Sequence, residues 1–446
     1  MPKQLFGTDG IRGVPGTAPL DDATLYRVGR ALGHFLAQGE AQPRVLIGMD
    51  TRESGPHIAQ QIAAGLIEDG VDVTSAGVLT TPAIAYLVRA KKFSAGVVIS
   101  ASHNPYPDNG VKLFASTGMK FPDDVEERLE RESLRFSGAP AAGRVALRRA
   151  PSFGREYLDF LRTRAIPGAN LAGMNLVLDC ANGAASILGP ALFRSLGAAV
   201  TAIHDQPDGR NINAECGTMY PESLRKAVLE SGAALGVAFD GDADRAVFVS
   251  ASGRIVNGDG VLLAAARYLK SAKKLRGARV VGTSMANLGL ERALEKERLA
   301  LDRVPVGDRY VLEEMLRSGC NLGGEQSGHV IFLDDATTGD GLLTALKIAG
   351  LVAQRGALDE LVRGLEIFPQ TIVNVNVRSK PALDSLPEFA RALEQATLAL
   401  GDSGRVVVRY SGTEPKLRVM VEAQREEDVA LWAETLASTI RSAIGV

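Results

Sequence analysis

Apolar and polar positions alternate in blocks along this chain. RVLIGMD (44–50) is a short apolar run ending in a carboxylate, the pattern of a buried strand. SGPHIAQQIAAGLIEDG (54–70) then repeats apolar residues at helical spacing, from a Ser cap to a closing Gly. VDVTSAGV (71–78) predicts a strand, TPAIAYLVRAKK (81–92) a helix, and SAGVVIS (94–100) a further strand. Strand and helix in alternation argue for an α/β domain with a largely parallel or mixed sheet. The pattern restarts at MNLVLDCANG (174–183), and again at ARVVGTSMAN (278–287), each a strand leading into a helix. Three α/β units in series follow, a repeat of architecture without a residue-level repeat. The tail differs. QTIVNVNVRS (370–379) alternates with period two, as a half-exposed strand does. A helix, two strands around the loop SGTEPK (411–416) and a final helix complete a small α+β unit. Seams near Gly356 and Pro381 are plausible on composition.

Composition adds limits. At 446 residues the chain is too long for a single ordinary core. Fifty Lys and Arg against 52 Asp and Glu leave a charge of -2, so no global basic field attracts nucleic acid. Cys180, Cys216 and Cys320 lie far apart, which indicates neither a disulfide framework nor a zinc motif. No apolar run has the length of a bilayer span, and MPKQLFGTDGIRG (1–13) lacks the apolar stretch of a signal peptide, so the expected location is cytoplasmic.

Four loops carry polar chemistry. In ISASHNPYPDNGVKLF (99–114) a strand breaks into Ser-His-Asn-Pro, passes a second Pro and an Asn-Gly, and turns back. A hairpin needs only the Asn-Gly, so the loop is either an ornate turn or a rigid mount for Ser102. It is not a GxSxG elbow, and the adjacency of His103 does not show that the two side chains meet. In AFDGDADRAVF (238–248), Asp240, Asp242 and Asp244 alternate with small residues between two strands. Three such carboxylates repel unless a cation sits among them. The EF-hand alternative fails, because Arg245 stands where that loop needs Gly and Ala251 where it needs Glu. Hard oxygen donors with room for a phosphate oxygen suit Mg²⁺. GGEQSGH (323–329) offers Glu325, Gln326, Ser327 and His329 among glycines, groups that bind sugar hydroxyls or simply form a turn. In RYSGTEPKLR (409–418), Arg409, Ser411, Gly412 and Thr413 form either an anion nest or a polar hairpin. Arg12, in FGTDGIRG, and Arg52, just past a strand end, are each candidates to neutralise a phosphate near Ser102. There is no Walker A sequence and no GxGxxG after a strand, so a nucleotide cofactor is not indicated.

FGTDGIRG, SASHNP with DNGVK, DGDADR, GGEQSGH and RYSGTEP stand in the order seen in the α-D-phosphohexomutases, and the chain resembles that family over nearly its whole length. The FGTDGIRG opening and Gln326 within GGEQSGH are similar to the bacterial branch that works on glucosamine phosphates. The resemblance implies three related α/β domains with mixed sheets and a smaller C-terminal α+β domain, heart-shaped around a central cleft. It places a phosphoserine domain at 1–152, a metal domain at 153–253, a sugar domain at 254–367 and a phosphate-binding domain at 368–446. It implies that Ser102 carries a phosphoryl group and that Asp240, Asp242 and Asp244 hold one Mg²⁺ together with a phosphoserine oxygen. Glu325 and Ser327 would contact sugar hydroxyls, and Arg409, Ser411, Gly412 and Thr413 would clamp the phosphate that is not reacting. Arg12, Lys112, Arg245 and His329 would surround the transferring phosphate. The implied cycle passes through glucosamine 1,6-bisphosphate and supplies amino-sugar and cell-wall precursors; the implied assembly is a homodimer. Tyr410 departs from the Pro common in the family, and Asp308 stands where some relatives carry His, so no acid–base role is assigned to it. The alternatives are a phosphomannomutase or phosphoglucomutase with the same machinery, a non-catalytic sugar-phosphate sensor, and a Mg²⁺-dependent phosphatase.

Overall fold

The computed structural model describes residues 5–7, 9–138, 145–411 and 415–446. The chain forms two compact bodies, one of residues 1–283 with 302–363, the other of 284–301 with 364–446. Among the described residues no helix is long and apolar enough to cross a membrane.

The first body contains three sheets. The first sheet takes strands β1 (Ile11–Gly13), β2 (Arg44–Met49), β3 (Asp72–Val78), β4 (Ala95–Ile99), β5 (Asn109–Ala115) and β6 (Arg148–Arg149) in the order β1-β5-β4-β2-β3-β6. Strands β2, β3, β4 and β6 run parallel, whereas β5 returns antiparallel along β4. The second sheet takes β7 (Asn175–Asp179), β8 (Ala199–Ile203), β9 (Leu235–Phe239), β10 (Ala246–Ser250) and β11 (Ile255–Val256) in the order β11-β10-β9-β7-β8. Here β7, β8 and β9 are parallel and β10 returns along β9. The third, of β12 (Arg279–Thr283), β13 (Ala300–Val304), β14 (Leu322–Gly324) and β15 (Val330–Phe332), is ordered β13-β12-β14-β15, with β15 returning along β14. So each sheet is mixed, and each carries an antiparallel hairpin after its parallel strands.

The apolar runs become the interior. Val45, Ile47, Val97 and Ile99 on the first sheet pack with Leu25, Leu32, Ile62 and Leu66 from helices α1 (Asp22–Ala37) and α2 (Gly55–Glu68). The two helices cross where Gly29 and Gly65 meet: a Cβ on Gly65 would lie 2.2 Å from the Tyr26 carbonyl oxygen, and one on Gly29 would lie 2.2 Å from that of Ile62. The Asp21 carboxylate caps α1 by accepting from the Thr24 amide. Ser54 does stand at the start of α2, but its hydroxyl makes no capping bond; it accepts instead from Asn109 Nδ2 at 2.8 Å. Helix α3 (Thr81–Ala90) is capped by Thr80, with Pro82 in its first turn.

In the second body, β16 (Gln370–Asn376), β17 (Gly404–Tyr410) and β18 (Lys416–Ala423) form an antiparallel sheet in the order β16-β18-β17. Helices Pro387–Leu400 and Glu426–Ile444 cover it through Phe389, Leu436 and Ile440. The fully buried Glu422 accepts from the Leu288 amide at 2.6 Å and pairs with Arg405, which donates to the carbonyls of Ser284 and Ala286. One carboxylate therefore anchors the segment 284–301 within this body.

Gly65→Ala tests the close helix crossing. A methyl group against a backbone carbonyl has nowhere to go, so the variant is expected to lose about 1–3 kcal/mol of stability. A denaturant midpoint equal to wild type would show that the crossing is loose.

Candidate active site

The three hairpins of the first body present the polar loops read from the sequence. The β4–β5 loop carries Ser102, the β9–β10 loop carries Asp240, Asp242 and Asp244, and the β14–β15 loop carries Glu325, Ser327 and His329.

Ser102 is buried and adopts a left-handed backbone, φ 53°. A non-glycine residue there is strained and needs its surroundings to hold it. Arg52 does much of that. Its Nε donates to Asp50; Nη1 donates to the carbonyls of Pro105 and Asp108, and Nη2 to those of Ser102 and Asn104. All five guanidinium donors are engaged and the side chain is fully buried. This corrects the expectation that Arg52 faces a phosphate: it is an internal tie of the serine loop. Asp50 also accepts from Ser100 Oγ, which in turn accepts from the Ser102 amide. Asn213 Nδ2 donates to the carbonyls of Ser102 and Asn104 from the second sheet's side. Gly241 is required where the loops meet, since a Cβ there would lie 2.6 Å from the Ser102 carbonyl oxygen.

Ser102 Oγ donates to Asp240 Oδ2 at 2.5 Å, which joins the first loop to the second. Asp240, Asp242 and Asp244 are all buried, and each brings one carboxylate oxygen within 4.8 Å of the others. Burial, then Asp244 and Asp242, push the Asp240 pKa far above the usual carboxylate range. Asp242 Oδ1 and Asp244 Oδ1 are buried without a hydrogen-bond partner among the described residues. Unpartnered carboxylate oxygens converging beside a serine hydroxyl fit a hard divalent cation. Lys112 Nζ meets Asp242 at 2.9 Å, Asp9 at 3.3 Å and Asp244 at 3.4 Å. Burial works against its charge, but Asp242, Asp9 and Asp244 outweigh it and raise its pKa. Thr81 donates to Asp242 Oδ2 at 2.6 Å.

Positive groups ring the serine. Arg12 reaches the Ala101 carbonyl and Asn104, and pairs with Asp9 at 2.6 Å. The Arg245 amide donates to Asp240, and its guanidinium lies 3.7 Å from Asp244. His103 Nδ1 lies 3.4 Å from Ser102 Oγ; burial, Arg245 and Arg12 lower its pKa to about 4. A neutral imidazole between two guanidinium groups marks surroundings that favour an anion. His329 Nδ1 lies 3.6 Å from Asp244, and its Nε2 accepts from the Gly339 amide at 3.0 Å. In the neutral ring that bond places the proton on Nδ1, facing Asp244. Burial works against the charged form of His329, but Asp244, then Asp308 and Glu325, outweigh it and raise its pKa. Glu325 accepts from the Gly307 amide and from Ser327 Oγ.

Three contributors were not singled out from the sequence. Asp9 pairs with Arg12, Lys112 and Lys120, and Lys120 also pairs with Asp308 at 2.6 Å. Asp9 does lie in the glycine-flanked FGTDG, a usable signal; Lys120 and Asn213 sit in ordinary loop sequence. A second ligand-bearing cluster, Asp179, His204 and Cys216, lies outside this site. Its carboxylate already accepts from the amides of Ala181 and Gly217, and burial followed by Asp179 pushes the Cys216 thiol up to about 12.

Arg409 and Ser411 belong to the second body. Arg409 stands opposite Arg418 across β17 and β18; burial and Arg418 lower its pKa. Ser411 is buried, and its carbonyl accepts from Lys380. Tyr410 donates to the Pro381 carbonyl, so it braces the strand end. Gly412 and Thr413 lie outside the described residues.

Behind the aspartate loop, the Gly341 amide donates to the Ala243 carbonyl, and Asp340 caps the helix Gly341–Arg355 while accepting from Tyr157. Burial raises the Asp340 pKa to about 6, against the Leu343 amide and Tyr157 hydroxyl, which lower it. The folded state therefore holds this proton to higher pH than the unfolded chain. The contribution to stability is full below about pH 4 and is lost as pH rises through about 6. Asp340→Asn, measured by denaturant melts, should gain on wild type by about 3 kcal/mol between those limits; parallel pH profiles would contradict the assignment.

Comparisons with known proteins agree with this geometry. Four sequence models match in order: phosphoglucomutase/phosphomannomutase alpha/beta/alpha domain I over residues 3–136, domain II over 155–253, domain III over 257–367, and the C-terminal domain over 372–439. A phosphoglucosamine mutase of Solibacter usitatus is 52% identical over 447 residues, covering 100% of both chains. One from Koribacter versatilis is 48% identical, covering 100% of this chain and 98% of its own. Among solved structures, a phosphoglucomutase/phosphomannomutase family protein from Burkholderia thailandensis superposes with a TM-score of 0.79 at 23% identity, covering 98% of this chain and 99% of that one. Aspergillus fumigatus N-acetylphosphoglucosamine mutase, in complex with GlcNAc-6P and magnesium, superposes with a TM-score of 0.70 at 18% identity, covering 99% and 96%.

Proposed function

The chain belongs to the phosphoglucomutase/phosphomannomutase family, and from that premise we propose that it interconverts glucosamine 6-phosphate and glucosamine 1-phosphate. It acts as a phosphoglucosamine mutase, an isomerase. The observation that carries the reading is Ser102 Oγ held 2.5 Å from a buried aspartate cluster, with Arg12, Arg245 and Lys112 around it. In-line phosphoryl transfer is mostly positioning and charge neutralisation, which this arrangement supplies.

The proposed cycle starts from phosphorylated Ser102. O1 of glucosamine 6-phosphate attacks phosphorus as the bond to Ser102 Oγ breaks and the O1 proton passes to Oγ, giving glucosamine 1,6-bisphosphate. The sugar turns over, Ser102 Oγ takes the 6-phosphoryl group as the bond from phosphorus to O6 breaks and the Oγ proton passes to O6, and glucosamine 1-phosphate leaves. Asp240, Asp242 and Asp244 would hold one Mg²⁺, which supplies neutralisation of the phosphoryl oxygens. Arg12 and Arg245 balance the remaining charge, and Lys112 pairs with Asp242 and Asp244 and helps to keep Asp244 ionised. His329, through Nδ1–H, steadies Asp244. Glu325 and Ser327 would take sugar hydroxyls, which must serve both orientations of the ring. Arg409, Ser411, Gly412 and Thr413 would take the phosphate that is not reacting. The four consecutive family matches support domain limits at 1–152, 153–253, 254–367 and 368–446. A cytoplasmic homodimer completes the reading.

Ser102→Ala should remove turnover and leave the melting curve in place; an active variant would sink the mechanism. The cation is tested without turnover. Mg²⁺ should raise the Tm of wild type, because it relieves repulsion among three buried carboxylates. Asp242→Asn should shrink that shift, and an equal shift in both proteins would place the ion elsewhere.

A further inference from the structure

A carboxylate binds a cation well when one of its oxygens is turned to the ion and the other is held by a donor behind it. The three aspartates beside Ser102 are held in different ways. Asp240 gives Oδ2 to the Ser102 hydroxyl and Oδ1 to the Arg245 amide. Asp244 Oδ2 lies 3.4 Å from Lys112 and 3.6 Å from His329 Nδ1. Asp242 is held on one oxygen. Its Oδ2 accepts from Thr81 Oγ1 at 2.6 Å and from Lys112 at 2.9 Å. Its Oδ1 is buried without a hydrogen-bond partner among the described residues.

Thr81 comes from a different sheet's layer. Two threonines in a row open α3, and they do different work. Thr80 caps the helix by accepting from the Ala83 amide at 3.3 Å. Thr81, 1% exposed, turns its hydroxyl to Asp242, and its amide donates to the Asp242 carbonyl at 3.0 Å. One residue of the first sheet's helix therefore grips one residue of the second sheet's loop at two points, carboxylate and backbone. Lys112 cannot make the same choice between the two Asp242 oxygens. It is a point charge on a flexible stem, shared among Asp9, Asp242 and Asp244. A β-branched hydroxyl at a helix start has few rotamers and one proton, and that proton goes to Oδ2.

We propose that Thr81 is a positioning residue for the cation: its hydroxyl fixes the Asp242 carboxylate so that Oδ1 is the oxygen presented to Mg²⁺. Thr81 acts through Asp242. The proposal rests on the Mg²⁺ reading of the aspartate loop given above. Without the hydroxyl, Oδ2 keeps Lys112 alone and the carboxylate is free to turn, so binding the ion first has to order it.

The test is Mg²⁺ binding to the full chain with Ser102 unphosphorylated, measured by isothermal titration without sugar. Thr81→Val keeps the amide bond to Asp242 and the shape of the side chain, and removes the hydroxyl. Its Mg²⁺ Kd should rise about 10–100-fold, and Thr81→Ser, which keeps the hydroxyl, should bind close to wild type. Thr81→Ala repeats the loss and covers the case in which the valine variant does not fold. A Kd unchanged in the variants that lack the hydroxyl overturns the proposal, even where their metal-free Tm falls, because a purely structural role would move that Tm and leave the Kd in place. A serine variant as weak as the valine variant overturns it too. A wild-type protein that takes up no Mg²⁺, or binds it as tightly after Asp242→Asn, removes the cation reading itself and the role of Thr81 with it. Binding that weakens in Asp242→Asn and holds in Thr81→Val removes the role of Thr81 alone.

Discussion

Three buried carboxylates within 4.8 Å of one another are the constraint around which this molecule is arranged. Burial and the two neighbouring carboxylates push Asp240 toward its protonated form, and a protonated cluster cannot hold a cation. Lys112, from the neighbouring sheet, counters burial at Asp244, whose pKa it and His329 hold well below the usual carboxylate range. Its ammonium is fully buried, which is costly, and is sustained by the same carboxylates it stabilises. Neither half of that pair is stable without the other. The small spacers Gly241 and Ala243 let the loop curl tightly enough to converge its aspartates, with Ala243 in the left-handed region at φ 56°. Charge, backbone and packing therefore have to be right together.

A single topological position recurs in the three sheets of the first body. Parallel strands end in an antiparallel return, and the loop of that hairpin carries the functional side chains: β4–β5, β9–β10 and β14–β15 in the first body. In the second body, whose sheet is wholly antiparallel, Arg409 stands on β17 and Ser411 just beyond its end. A hairpin loop leaves the end of a rigid ladder, so its side chains are placed by the sheet while its backbone is free to take unusual conformations. The strand–helix repeats of the sequence foretell the sheets, and the polar loops foretell the site, because both depend on local pattern.

What local pattern does not carry is direction. Arg12 and Arg52 look alike in the sequence, each an arginine near a turn. Arg12 stays half-buried beside Ser102, while Arg52 turns inward and spends every donor on the serine loop's own carbonyls and Asp50. The difference follows from loop carbonyls 50 to 56 residues away, which periodicity cannot see. Lys120 and Asn213 escaped notice for the same reason: their partners lie in other sheets or other loops. Ser54 fits a helix cap by position yet serves Asn109, because a hydroxyl at a helix start is open to any better donor nearby. Asp9 is the residue that closer attention to its glycine neighbours would have found.

The bracing of Ser102 bears on how a phosphate can move from one end of a sugar to the other. The serine loop's backbone is held by four bonds from Arg52 and two from Asn213, the Ser102 amide donates to Ser100 Oγ, and the Ser102 hydroxyl donates to Asp240. Moving the loop would break several buried bonds at once, each leaving an unpaired polar group. Ser102 and the aspartate cluster thus form one fixed platform. A bisphosphate intermediate must bring each of its ends to that platform in turn, so it is the sugar that reorients. Groups that meet the ring must then accept it in two poses, whereas the groups around Ser102 need recognise a single object, a phosphoryl group, in one place.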